Sequence, residues 1–133
     1  MTKFIYILIF IFPFVLISCS DDDNNNNEDN PQNKNRLSVT YKATSKPEGK
    51  TFLMISYNDS QGNYIVKNVE SGWSLDVELP EGKKAFISGV VQIKDEFSEE
   101  VDINTATAKV QILQNGKVTK EAEGLSVVAE IEP

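Results

Sequence analysis

The sequence has no histidine, one cysteine and one tryptophan, and fewer basic than acidic side chains, 13 against 20, in its 133 residues. Each shortage excludes something. Without histidine there is no Ser-His-Asp or Cys-His catalytic unit, no His-ligated zinc and no imidazole base near neutral pH. A formal charge of -7 works against duplex nucleic acid, whose affinity comes largely from Lys and Arg neutralising phosphates. No nucleic-acid partner is therefore expected. One cysteine cannot close an internal disulfide. A Gly-x-Ser-x-Gly elbow, a Ser-x-x-Lys pair and a phosphate-cradling glycine loop are also missing from the chain, and these carry the commonest hydrolase and nucleotide chemistry. The expectation is a protein that is not an enzyme, with no catalytic residue, no metal and no cofactor.

Long apolar runs are scarce too. The only one, residues 4–17, has 14 members, is broken once by Pro13 and follows the single basic residue Lys3. A membrane-spanning helix needs about 20 residues, so the run has the length of a signal-peptide core. It ends in Leu16-Ile17-Ser18-Cys19, which resembles a bacterial lipobox: an apolar residue three before the cysteine and a small one just before it. The resemblance implies that residues 1–18 are removed and that Cys19 becomes the lipidated first residue of the mature chain. Two or more acyl chains, at about 0.8 kcal/mol per buried methylene, hold a protein stably on a membrane without spanning it. The membrane, reached through covalent lipid on Cys19, is thus the first expected partner.

Residues 20–36 contain seven Asn and five acidic side chains, with Pro31 the sole apolar one. Such a segment buries too little surface to offset its ordering entropy, and a disordered tether over 19–36 is expected. Its start, Ser20-Asp21-Asp22-Asp23 after Cys19, resembles the export signal of surface-exposed lipoproteins of the Bacteroidetes. That implies an outer-membrane protein facing the cell exterior; the periplasmic side is the alternative.

What remains, residues 37–133, alternates apolar and polar side chains nearly throughout, the signature of half-buried strands. Leu37, Val39, Tyr41 and Ala43 form one such set; Trp73, Leu75, Val77 and Leu79 a second; Ala106, Ala108, Val110 and Ile112 a third; Leu125, Val127, Ala129 and Ile131 a fourth. Turn chemistry separates them. Asn115-Gly116 fits a type I′ hairpin turn, which demands positive φ at both positions. Residues 58–63 read as a longer hairpin loop. Pro47-Glu48-Gly49-Lys50 and Pro80-Glu81-Gly82-Lys83 repeat one tetrapeptide, with proline presetting φ and glycine accepting the left-handed region of a type II turn. Helical periodicity is confined to a single turn around Phe97 and Val101. Seven or eight short strands in 97 residues predict an all-β, immunoglobulin-like antiparallel β-sandwich, with a small closed barrel as the alternative.

The segment Ile55-Ser56-Tyr57-Asn58-Asp59, then Gly62, Asn68-Val69 and Trp73-Ser74, and finally Val110-Gln111-Ile112 before Asn115-Gly116-Lys117-Val118, is similar to the periplasmic domain of the mycobacterial small membrane proteins called MmpS. Gly72 stands where that family carries proline, and the family's cysteines and transmembrane helix have no counterpart here. The resemblance implies an immunoglobulin-like sandwich and an accessory role in lipid transport.

Four residues stand out as candidate ligand or partner contacts. Tyr57 and Tyr64 flank the 58–63 loop, at the kind of sandwich end where binding loops gather. Phe52 and Met54 fall on the face opposite Leu53, Ile55 and Tyr57, so that strand is apolar on both sides; Phe86 and Val90 repeat the pattern against Ala85, Ile87 and Val91. An apolar outer face implies a cover, either local chain or a protein partner. Trp73 reads as core, since its neighbours at two-residue spacing are all apolar. The acidic group Asp95, Glu96, Glu99, Glu100 and Asp102 has no calcium-loop spacing and reads as a solvated run. The expected function is a lipid-anchored, non-enzymatic binding or accessory module, with an outer-membrane protein as partner. The alternative is a small-ligand or glycan binder using the loop-end tyrosines.

Overall fold

A computed structural model describes residues 36–133. The expected signal peptide (1–18), the expected lipidation site Cys19 and the expected export residues Ser20, Asp21, Asp22 and Asp23 lie outside the described residues. Eight strands follow one another: β1 (Leu37–Lys46), β2 (Thr51–Asn58), β3 (Tyr64–Glu70), β4 (Trp73–Leu79), β5 (Ala85–Ile93), β6 (Thr107–Gln114), β7 (Lys117–Gly124) and β8 (Ser126–Ile131). They form two four-stranded sheets, ordered β4-β1-β6-β7 and β3-β2-β5-β8, and every pairing is antiparallel. The protein is an all-β sandwich. Its pairings β1–β4, β2–β5 and β5–β8 correspond to the B–E, C–F and F–G neighbours of an immunoglobulin domain, with β3 in the C′ position. The β6–β7 hairpin stands where strand A would flank B, and enters the chain between F and G.

Alternation in the sequence becomes burial because successive side chains of a strand point to opposite faces. Val39, Tyr41 and Ala43 of β1, Leu53 and Ile55 of β2, Val77 and Leu79 of β4, and Ala108, Val110 and Ile112 of β6 are all buried between the sheets. Alanines at 43, 85, 106, 108 and 129 let the layers approach around the larger side chains. Closest of all is Gly89 of β5, where a Cβ would stand 2.9 Å from Val110 Cγ1 of the facing sheet. Glycine is required there by space.

The hairpins follow their turn residues. Asn115 (φ 50°) and Gly116 (φ 74°) join β6 to β7 with the two positive φ angles of a type I′ turn. In the 58–63 loop, the Asp59 carboxylate accepts from the backbone N–H groups of Gln61 (2.9 Å) and Asn63 (2.8 Å). The repeated Pro-Glu-Gly-Lys turns differ from expectation in one respect. Lys50 N–H donates to the Pro47 carbonyl and Lys83 N–H to the Pro80 carbonyl, so each proline is the first residue of its turn and contributes an acceptor; Glu48 and Glu81 hold the second position. Leu125 also departs from its expected inward place. It lies in the corner between β7 and β8, 43% exposed, and its carbonyl accepts from Val91 N–H at 3.1 Å. Among the described residues the only helical turns are short 3-10 turns, Asp95–Phe97 and Ile103–Thr105. No helix there is long and apolar enough to cross a membrane.

Candidate functional site

The two outer faces of the sandwich are chemically unlike. On the first sheet, the Thr40 hydroxyl donates to Asp76 (2.6 Å) and the Gln111 amide to Glu121 (2.8 Å), while Lys109 reaches Glu121 at 3.2 Å and Glu123 at 4.0 Å. The Glu121 carboxyl is held below the usual carboxylate range, first by the Gln111 hydrogen bond and then by Lys109. This is a solvated face laced with charge.

The outer face of the second sheet is assembled from the residues that made β2 and β5 apolar on both sides. Register puts Met54 directly opposite Val90, and Phe52 lies two residues along the same face. Asn58, at the end of β2, pairs with Tyr64 of β3. On its other side stands Phe86, whose ring meets that of Tyr64 edge-on, centroids 5.5 Å apart. Val66 on β3 and Val128 on β8 extend the surface to both edges, 65% and 53% exposed. At its centre Ser56 and Ser88, adjacent across the β2–β5 ladder, share a hydrogen bond of 2.8 Å and stand no higher than the pleat. Charges lie at the ends and are paired, Lys94 with Glu70 and Lys84 with Glu130, each at 2.9 Å. Exposed apolar side chains around a small polar centre, with paired charges at the ends, suit a protein-contact surface.

The four sequence candidates therefore separate. Phe52, Met54 and Tyr64 belong to this face, with Phe52 half-buried and Met54 and Tyr64 exposed. Tyr57 does not. It is 6% exposed, and its ring lies between those of Tyr41 (5.9 Å) and Trp73 (5.2 Å) in the interior. A ring so enclosed offers no stacking surface, and the two tyrosines do not share a groove. Trp73, expected in the core, is half-buried and packs against it from the edge strand β4. Sequence reasoning missed Val66 and Val128, although Tyr64-Ile65-Val66 and Val127-Val128 are, like Phe52-Leu53-Met54, apolar runs that occupy both faces of a strand. It also missed Lys67, whose amine sits over the rings of Trp73 (5.0 Å) and Tyr57 (5.7 Å).

Asn58 is 3% exposed; its amide donates to the Lys84 carbonyl at 2.8 Å, and among the described residues its Oδ1 has no partner. A cleft of about 630 Å³ lies at the end of the sandwich where the described chain begins and stops, lined by Arg36, Pro80, Lys83, Gln114 and Pro133 among others. Its lining mixes charges of both signs, Arg36 and Lys83 with Glu81 and Glu132. The acidic group lies at the opposite end. There Glu100 pairs with Lys50 at 2.8 Å, and the Asp102 carboxylate accepts from Asn104 N–H at 2.9 Å. Among the described residues no three metal-ligating side chains come together.

Fold and surface together define an eight-stranded antiparallel sandwich with one charged outer face and one apolar one. Compared with known proteins, the chain matches no protein-family model and no curated protein.

Proposed function

We propose that the protein is a lipid-anchored, non-enzymatic accessory module of the outer membrane, which uses the outer face of its second sheet to hold a protein partner. The observation that carries this reading is the gathering of Phe52, Met54, Val90, Tyr64, Phe86, Val66 and Val128 on one outer face of four strands, around the Ser56–Ser88 pair. In this reading Cys19 carries the lipid, residues 20–36 give reach, and the sandwich presents its face. A coil of 17 residues has an r.m.s. reach of roughly 20 to 25 Å, enough to meet a neighbour in the same membrane. Ser20, Asp21, Asp22 and Asp23 would direct the domain to the cell exterior.

The anchor and the address are tested together in intact cells. Labelled fatty acid should enter the wild-type chain and not the Cys19→Ala variant, and added protease should degrade the domain without lysis. Fatty acid retained by Cys19→Ala would overturn the anchor. Protection until lysis would overturn the surface assignment and make a periplasmic role in transport, as the MmpS resemblance implies, the reading to pursue.

A further inference from the structure

The sandwich has four edge strands, β4 and β7 in the first sheet and β3 and β8 in the second. An unpaired edge is a template for another strand unless something blunts it. Three of the four are blunted. β3 turns Lys67 toward the interior side, its amine over the Trp73 ring, and an inward charge on an edge opposes a strand added there. β7 reads Lys-Val-Thr-Lys-Glu-Ala-Glu-Gly and is bulged opposite Ile112 and Leu113. β4 carries Asp76 and Glu78 on its outer face, both exposed. β8 is the least defended, with no inward charge, no bulge and a single outer charge. It reads Ser-Val-Val-Ala-Glu-Ile, rich in β-branched residues, and its one charge, Glu130, is already paired with Lys84.

The geometry points to a second copy of this chain as the occupant of the β8 edge, the two strands pairing antiparallel about a twofold axis at Val128. β8 is self-complementary in that register. Val128 faces its own mate, Ser126 faces Glu130, and Val127 faces Ala129, so no like charges oppose. An offset that brought Glu130 against Glu130 would place two carboxylates side by side, which disfavours it. Such isologous contacts close after two copies. Pairing satisfies the open backbone groups of both edges and joins two four-stranded sheets into one of eight. It also carries the apolar outer face across the axis, because Val128 lies in one row with Ser88, Ser56 and Val66. The domain charge of -5, from 15 acidic and 10 basic groups over residues 37–133, repels a second copy at long range. Added salt should therefore tighten the dimer.

Cysteine cross-linking in the full chain tests both partner and register. Under mild oxidation Val128→Cys should give a disulfide-linked dimer, and Lys42→Cys, on the outer face of the first sheet, should not. Ser126→Cys and Glu130→Cys should link when co-expressed and fail when expressed singly. Cys19 is common to all these chains, so any dimer bridged through it appears equally in each. In purified protein, Val128→Lys should weaken association by roughly tenfold or more while leaving the circular dichroism unchanged, since Val128 is 53% exposed. Val128→Cys linking no faster than Lys42→Cys would overturn the proposal. Efficient linking of Ser126→Cys alone, or a monomeric mass at every concentration tested, would overturn it too.

Discussion

At the scale of single residues, Gly89 and Asp59 each do one identifiable thing. Gly89 lets Val110 seat against β5, and valine is stiff at χ1. Gly89→Ala therefore forces overpacking and should cost about 1 to 3 kcal/mol, read as a lower urea midpoint at unchanged slope. The cost should shrink when Val110→Ala is added, because residues in contact are not additive; equal costs in both backgrounds would remove the close approach as the cause. Asp59 organises the 58–63 loop. Its carboxyl is held below the ordinary value of 3.8, chiefly by the Asn63 N–H and further by those of Gln61 and Gly62. With the folded value lowered, the unfolded chain binds the proton first, so this contribution is present above pH 3.8 and is lost as pH falls below it. Asp59→Asn should narrow the gap between urea midpoints measured at neutral and at strongly acidic pH. Tyr41 works at the other end of the scale. Burial pushes its hydroxyl above the ordinary 10.0, partly offset by the Phe86 N–H that donates to it, so its contribution declines only as pH rises past that value.

At the scale of elements, the strands differ in how openly the sequence announces them. β1 and β4 alternate without error and turn the residues their pattern selects inward, and β6 does so up to Ile112, where the irregularity in its pairing buries Leu113 as well. Asn115-Gly116 marks its hairpin because few other pairs accept two positive φ angles. β3 and β7 are almost wholly exposed, so no buried period singles them out; they are legible only as the partners that the hairpin loops require. Leu125 misled because alternation was carried one residue too far, through a corner where the chain changes sheets. Tyr57 misled for a related reason. Proximity to a loop suggested exposure, whereas its parity with Leu53 and Ile55 already pointed inward. Lys67 was silent in the sequence, since a lone lysine amid a polar strand reads as solvent-facing. Its place over the rings makes a prediction at this scale: Lys67→Val should leave the melting temperature close to wild type and promote association through β3, visible as concentration-dependent light scattering. A variant that stayed as soluble as wild type would show that β3 is protected by something else.

At the scale of the whole molecule, the division of labour between faces follows from where the apolar residues outnumber what the core can hold. The interior takes one side of every strand; Phe52, Met54, Phe86 and Val90 are left over, and antiparallel pairing gathers them on one sheet. This candidate surface was half legible in the sequence. Single strands showed that they had two apolar faces, but only register could show that these faces meet, because register depends on which strands become neighbours. The buried core comes from β1, β2, β4, β5, β6 and β8 and the approach to β6, with Ile65, Val69 and Ala122 of β3 and β7 packed against it, and none of these side chains lies on the outer face of the second sheet. Charging the outer face should therefore not unfold it. Met54→Asp is expected to change stability by less than about 1 kcal/mol and to abolish partner contact.

The most direct measurement is site-specific photocross-linking in living cells, with the reactive group placed at Met54 on the apolar face or at Lys42 on the charged one. One recurrent outer-membrane protein captured from Met54, absent from Lys42 and lost when Val90→Asp is introduced beside Met54, is the expected result. Equal capture from both positions, or adducts from Lys42 alone, would contradict the assignment of the second sheet's outer face as the contact surface.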